Sequence, residues 1–141
     1  MTHPSKVKGN GFERELVNQA KDSGLDAKRA WASNGQSLGM HEEVDLLVEG
    51  YKIQAKRRKS IAKFLQPTDE VDLVVAREDG ATGIAIMTWW EWLNLIKENR
   101  TLKERIARLE SGRLANRADQ EVKQSSKAES DSRDHQDRSG S

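Results

Sequence analysis

Residues 42–56, EEVDLLVEGYKIQAK, constrain this chain more than any other stretch. They read as two β-strands folded back on each other around Gly50, at 43–48 and 52–57, with Asp45 near the head of the first. Strand side chains alternate between faces, so Gln54 and Lys56 share one face while Ile53 and Ala55 share the other. With Gly50-Tyr51 as a two-residue loop, Glu49 opposes Lys52, Leu47 opposes Gln54 and Asp45 opposes Lys56. A carboxylate, an amide oxygen and an ammonium then converge, a grouping that suits a divalent cation and a phosphate. A three-residue loop would separate them.

The rest of the chain supports one folded domain with an appendage. Charged residues make up 33% of 141 positions and hydrophobic ones 35%. That ratio leaves part of the chain outside any core. The net charge of +1 hides a split. Through Gln66 there are 12 Lys and Arg against 8 Asp and Glu, and from Pro67 onward 12 against 15. The basic half holds the hairpin, as a binder of a phosphate backbone requires. Cysteine is absent, which excludes a disulfide framework and cysteine-ligated zinc. No run of about 18 apolar residues predicts a membrane span, and the N-terminal residues lack an apolar signal core. A soluble, cytoplasmic protein is the expectation.

Residues 1–10 read as a flexible basic lead-in. Phe12, Leu16, Val17 and Ala20 recur at helical spacing, which predicts a helix over 11–23 stopped by Gly24. Residues 25–32 predict a short strand, and 33–41 a glycine-bearing loop. After the hairpin, 60–65 predict a short helix ended by Pro67. The β-branched run 71–76, VDLVVA, predicts a buried strand, and 83–87 the last strand. Thr88 and Glu91 have the spacing of a capping box. The helix they open should run to about Glu110, with Trp89, Trp92, Leu93 and Ile96 as its packing stripe. Leu102, Ile106 and Leu109 keep helical spacing beyond it and are candidates to pack on the domain or on a second subunit. Residues 111–141 hold only Leu114 and Val122 as large aliphatics and read as disordered. The fold class is therefore α/β: a mixed central sheet flanked by helices, then a long C-terminal helix and a disordered tail.

Each candidate has an ordinary structural reading beside the chemical one. A helix glutamate such as Glu13 is commonly a solvated charge. Asp45 lies between Val44 and Leu46, where Asp disfavours a strand interior, yet Asp at a strand start also serves as a turn acceptor. Arg57, Arg58 and Lys59 form a basic run that is either a solvated edge or a phosphate contact. His3, His41 and His135 lack the i, i+4 spacing of a zinc pair. Ser33 and Ser37 have no evident base. Trp89, Trp90 and Trp92 make either a base-stacking platform or, on their spacing, a helix face packed on the sheet.

Taken in order, these segments resemble the PD-(D/E)XK nuclease superfamily, most closely the archaeal-type Holliday junction resolvases and their phage relatives. KGNGFEREL resembles that family's first-helix motif, with Glu13 as its acid. LDAKRAWAS resembles the following strand and loop, with Arg29 and Ser33. EEVDLLVEG resembles the motif of the metal-bridging aspartate, here Asp45, and YKIQAK the acid-x-Lys strand, here Gln54 and Lys56. The resemblance spans residues 8–92. It departs from the pattern at Val44, where the motif has Pro, and at Gln54, where it has an acid. Gln keeps one carbonyl oxygen and removes a charge, which weakens metal binding.

The resemblance implies a restriction-endonuclease-like core over 11–110 and a Mg²⁺-dependent endonuclease, with Mn²⁺ as a substitute, acting on four-way junctions. Glu13, Asp45, Gln54 and Lys56 would be catalytic. The first three would hold metal, and Lys56 would orient the attacking water or stabilise the phosphate. Arg14, Arg29, Ser33, Arg57, Arg58 and Lys59 would contact DNA. A homodimer is implied, since such enzymes cut opposing strands in pairs. Two alternatives stay open: a nuclease of the same superfamily on other DNA, of restriction or repair type, and a DNA-binding module with weakened or lost catalysis.

Overall fold

The computed structural model describes residues 4–30 and 39–137. In chain order the elements are helix α1 (Pro4–Asp22), strands β1 (Ala27–Arg29), β2 (Leu46–Val48) and β3 (Tyr51–Ile53), a 3-10 turn (Lys63–Leu65), strands β4 (Val74–Ala76) and β5 (Ile84–Ile86), and helix α2 (Trp89–Asp137). The chain divides into two compact units, Met1–Glu98 and Asn99–Ser141.

Helix α1 begins at Pro4 rather than near Gly11, so most of the expected flexible lead-in is helical. Proline is well placed in a first turn, where its missing N–H has no intrahelical partner to lose. The C-terminus closes as a Schellman motif: Leu25 N–H donates to Ala20 O (3.0 Å) and Gly24 N–H to Lys21 O (2.9 Å). Gly24 sits at φ +82°, a conformation that strains any residue with a Cβ. This stop turns Leu25 into the core beside Ala20.

One hydrophobic cluster holds the first unit together. It joins Leu16, Val17 and Ala20 of α1, Leu25 and Ala27, Leu46 and Val48 of β2, and Leu93 and Ile96 of α2. Phe12, Ile53, Ala55, Trp89 and Trp92 pack around it. The helical stripe 12, 16, 20 and the stripe 89, 92, 93, 96 are thus both inward faces. Trp89 stacks on Trp92 at 5.1 Å between ring centroids, and Tyr51 meets Trp92 edge-on at 5.7 Å. The capping box at the head of α2 is closed: Glu91 N–H donates to Thr88 Oγ1 (3.3 Å) and Thr88 N–H to Glu91 Oε2 (3.1 Å).

Strands β1, β2 and β3 form an antiparallel sheet in that order. The hairpin register differs from the expected one. Val48 pairs with Tyr51, Leu47 with Lys52 and Leu46 with Ile53, so the loop is Glu49-Gly50 rather than Gly50-Tyr51. Both loop residues have positive φ, 49° and 83°, as a type I′ hairpin turn requires. Glu49 tolerates this position because it is tied on two sides. Its N–H donates to Asp26 O (2.8 Å), and its Oε1 accepts from Asp26 N–H (2.7 Å). The same count, carried one step past the ladder, sets Asp45 level with Gln54 and not with Lys56.

Among the described residues, two small antiparallel sheets form in place of the expected mixed central sheet. Strands β4 and β5 pair antiparallel with each other as a separate two-stranded sheet. A parallel strand needs a crossover of a dozen or more residues, usually helical. Between β3 and β4 the only helical segment is the 3-10 turn at Lys63–Leu65, shorter than the helix expected over 60–65. The run 71–76 is correspondingly not buried: Val71, Leu73 and Val75 are exposed, as is Ile84 opposite Ala76. The fold is mixed α and β, built on two small antiparallel sheets.

Helix α2 continues to Asp137, past the end expected near Glu110 and through the segment read as disordered. The low apolar content of that segment does prevent packing, since every residue from 99 to 132 is exposed. What carries the helix there is its own backbone hydrogen bonds and side-chain pairs along one face. No proline follows Pro67, and i, i+4 pairs such as Arg100–Glu104 (3.0 Å) and Arg117–Glu121 (3.7 Å) support the exposed turns.

Candidate active site

Two charged side chains are buried among the described residues, and they are Glu13 and Asp45. Burying a carboxylate costs several kcal/mol unless it is compensated. Each is compensated differently, and that difference defines the site.

Glu13 lies on α1 between the inward residues Phe12 and Leu16, where the helix packs on β1 and β2. Its carboxylate faces the end of β1: Glu13 Oε2 is 3.3 Å from Arg29 Nε. Arg29 was expected to contact DNA phosphate. Its guanidinium instead neutralises the acid expected to hold metal, and its side chain is only 24% exposed. Strand alternation explains this placement. Ala27 is in the core, and Arg29, two residues on, leans to the same side of the sheet. An arginine on the core face of a strand, with a glutamate on the core face of the helix above it, was the available signal for the pair.

Asp45 immediately precedes β2 and closes the sheet at that end. Its N–H donates to Ile53 O and its C=O accepts from Ala30 N–H, both at 2.9 Å. Its side-chain Oδ2 accepts from Ala55 N–H at 2.7 Å. The side chain therefore takes the place of a ladder carbonyl just where the strand pairing ends. A carboxylate has about four lone-pair sites, so one bond to an amide leaves capacity for a further ligand.

Beyond β3, burial alternates along the chain. Lys52, Gln54 and Lys56 are exposed, while Ile53 and Ala55 are half-buried against the core. Gln54 and Lys56 thus share the outward side, and Gln54 is level with Asp45. Arg57, Arg58 and Lys59 continue the exposed basic run in a segment without regular structure. Arg14 is exposed, beside buried Glu13 in sequence but turned away from it. Ser33 lies outside the described residues.

The candidate donors are all oxygens: Asp45 and Gln54 are level with each other at the end of the hairpin, and Glu13 lies on α1 beside Arg29. That chemistry fits a hard divalent cation such as Mg²⁺, which takes a few protein oxygens and keeps several waters. Among the described residues, no three His, Cys, Asp or Glu side chains gather as a closed cage. Also among the described residues, no helix is long and apolar enough to cross a membrane. No family model, curated protein or solved structure matches the chain.

Proposed function

We propose that this protein is a Mg²⁺-dependent endonuclease of the PD-(D/E)XK kind that hydrolyses phosphodiester bonds in branched DNA, four-way junctions above all. The observation that carries the reading is the burial of Glu13 and Asp45, the same two acids that the motif order singles out. Acids are rarely buried in a small domain unless they are paired or put to use. Asp45, Gln54 and Glu13 would hold the metal. When bound, Mg²⁺ supplies charge relief on the phosphate and lowers the pKa of a bound water. Hydrolysis forms one P–O bond from water and breaks the bond to the leaving oxygen, which takes up a proton.

This chain's own residues do the rest. Asp45 is fixed by three hydrogen bonds, so its free oxygen capacity is aimed rather than mobile. Lys56, exposed on the Gln54 side, orients the water or stabilises the pentacovalent phosphate as a point charge. Arg57, Arg58 and Lys59 hold the backbone without reading sequence, so recognition is by shape. The restriction-endonuclease-like core belongs to this proposal, with Glu13 on α1, Arg29 on β1, Asp45 just before β2, and Gln54 and Lys56 just after β3.

A second reading draws on Arg29 and Gln54. Arg29 already neutralises Glu13 at 3.3 Å, and Gln54 brings no charge. A site so balanced would serve a module that binds branched DNA without cutting it.

The test is cleavage of a labelled four-way junction beside its linear duplex arms, in Mg²⁺ and in Mn²⁺. Paired cuts in the junction alone, reduced at least about a hundredfold by Asp45→Asn, support the resolvase. Asparagine keeps an oxygen for the Ala55 amide, so the fold survives and the loss reports on metal. Cutting of both substrates would indicate a general nuclease of the same superfamily. Junction binding with no cutting in either metal would leave the binding module.

A further inference from the structure

We infer that residues 95–110 of α2 pair with the same residues of a second copy of this chain, as a parallel, in-register two-stranded coiled coil. The inference is independent of the nuclease reading, since it rests on a different part of the molecule. Leu102, Ile106 and Leu109 are each more than half exposed on a helix whose residues 99–132 are all exposed. Their spacing is not that of a helix lying on a globular surface. Leu95, Leu102 and Leu109 fall seven apart, and Asn99 and Ile106 fall seven apart between them. This is a strict a/d seam, with leucine at every d position and Asn and Ile at the a positions.

The residue types choose the occupant. β-Branched Ile at a with Leu at d favours two strands, and one Asn at an a position fixes register by meeting its own copy. The flanking charges choose the orientation. At the g and e positions, Glu98 faces the second copy's Lys103, and Arg105 faces the second copy's Glu110. Every such contact in a parallel dimer is attractive. An antiparallel pair with full overlap brings Arg105 against Arg105 and Lys103 against Lys103, and sets Asn99 against leucine. The outward positions are polar or small, and the Arg100–Glu104 ion pair lies there, away from the seam. Continuing the heptads gives Arg113, Asn116, Gln120 and Lys123, so the apolar seam stops at Leu109. It spans about 24 Å, short enough to make the dimer concentration-dependent.

Sedimentation equilibrium of the full chain, without DNA, tests this. The expected result is a monomer–dimer equilibrium that Ile106→Asp weakens by about a hundredfold, with an unchanged circular dichroism melt for the first unit. Lys103→Glu should weaken association by about three- to tenfold, and adding Glu98→Lys should restore it. The chain has no cysteine, so Arg113→Cys at the next a position gives a clean orientation probe. A disulfide-linked dimer under mild oxidation is expected only for the parallel, in-register pair. A chain that stays monomeric at all concentrations would overturn the inference. So would a dimer indifferent to Ile106→Asp, or a dimer that Arg113→Cys fails to cross-link.

Discussion

Arg29 and Glu13 are an ion pair at the edge of the core, 3.3 Å apart. Removing the guanidinium takes away a charge that offsets the burial of the Glu13 carboxylate. Arg29→Met should cost about 3 kcal/mol of unfolding free energy, read by urea denaturation. The double variant Glu13→Gln with Arg29→Met should recover most of that loss, because it removes the buried charge as well. A double variant as unstable as Arg29→Met alone would show that Arg29 acts through packing of its stem. Gln54 makes the complementary case at the rim. Exposed and level with Asp45, it gains a charge in Gln54→Glu without burying one. If the hairpin mouth holds Mg²⁺, the half-saturating metal concentration for cleavage should fall by about tenfold. An unchanged metal titration would exclude residue 54 as a ligand.

Element by element, the sequence was most legible where a short-range physical rule acts alone. The capping box at Thr88 and Glu91 formed as its spacing implies, and Thr88→Ala should cost about 1 kcal/mol, measurable as a lowered melting temperature of the first unit. A variant that melts with the wild type would mean that Trp89, Trp92 and Leu93 alone hold the helix start. The α1 stop at Gly24 was equally local. The hairpin was less legible, and the reason is specific. Glutamate at φ 49° is unfavourable in isolation, so turn preferences alone place Tyr51 in the loop instead of Glu49. What offsets that strain is the two-bond tie to Asp26, 23 residues away in sequence, which no local rule contains. The register shift it causes is what moves Asp45 from Lys56 to Gln54. Burial of β4 failed for a similar reason. A run of β-branched residues reports that a strand suits the chain, not that another element will cover it. The acids of the candidate site were legible as residue types in sequence order. Arg29 as the partner of Glu13 was not, because motif order carries no account of which charges meet across helix and sheet.

For the whole molecule, the two units divide the labour of folding differently, and a deletion separates them. The first unit is held by one apolar cluster, while residues 99–132 are helical and exposed throughout. Two-thirds of that second stretch lies beyond the apolar seam, where helix propensity and i, i+4 pairs alone sustain it. Isolated helices held that way are marginal in water and fray cooperatively with temperature. Heating should therefore show two transitions by circular dichroism: an early, shallow loss of helix from the distal part of α2, then the cooperative melt of the first unit. Deleting residues 113–141 should remove the shallow phase, leave the cooperative melt within about a degree or two, and leave junction cleavage intact. It should also leave self-association intact, since Leu109 and Glu110 are retained. A deletion that lowered the cooperative melt would mean that distal α2 contributes to the core's stability. One that kept the melt but abolished junction binding would place a nucleic-acid contact on the exposed distal helix, whose Arg113, Arg117 and Lys123 would then be the first residues to replace.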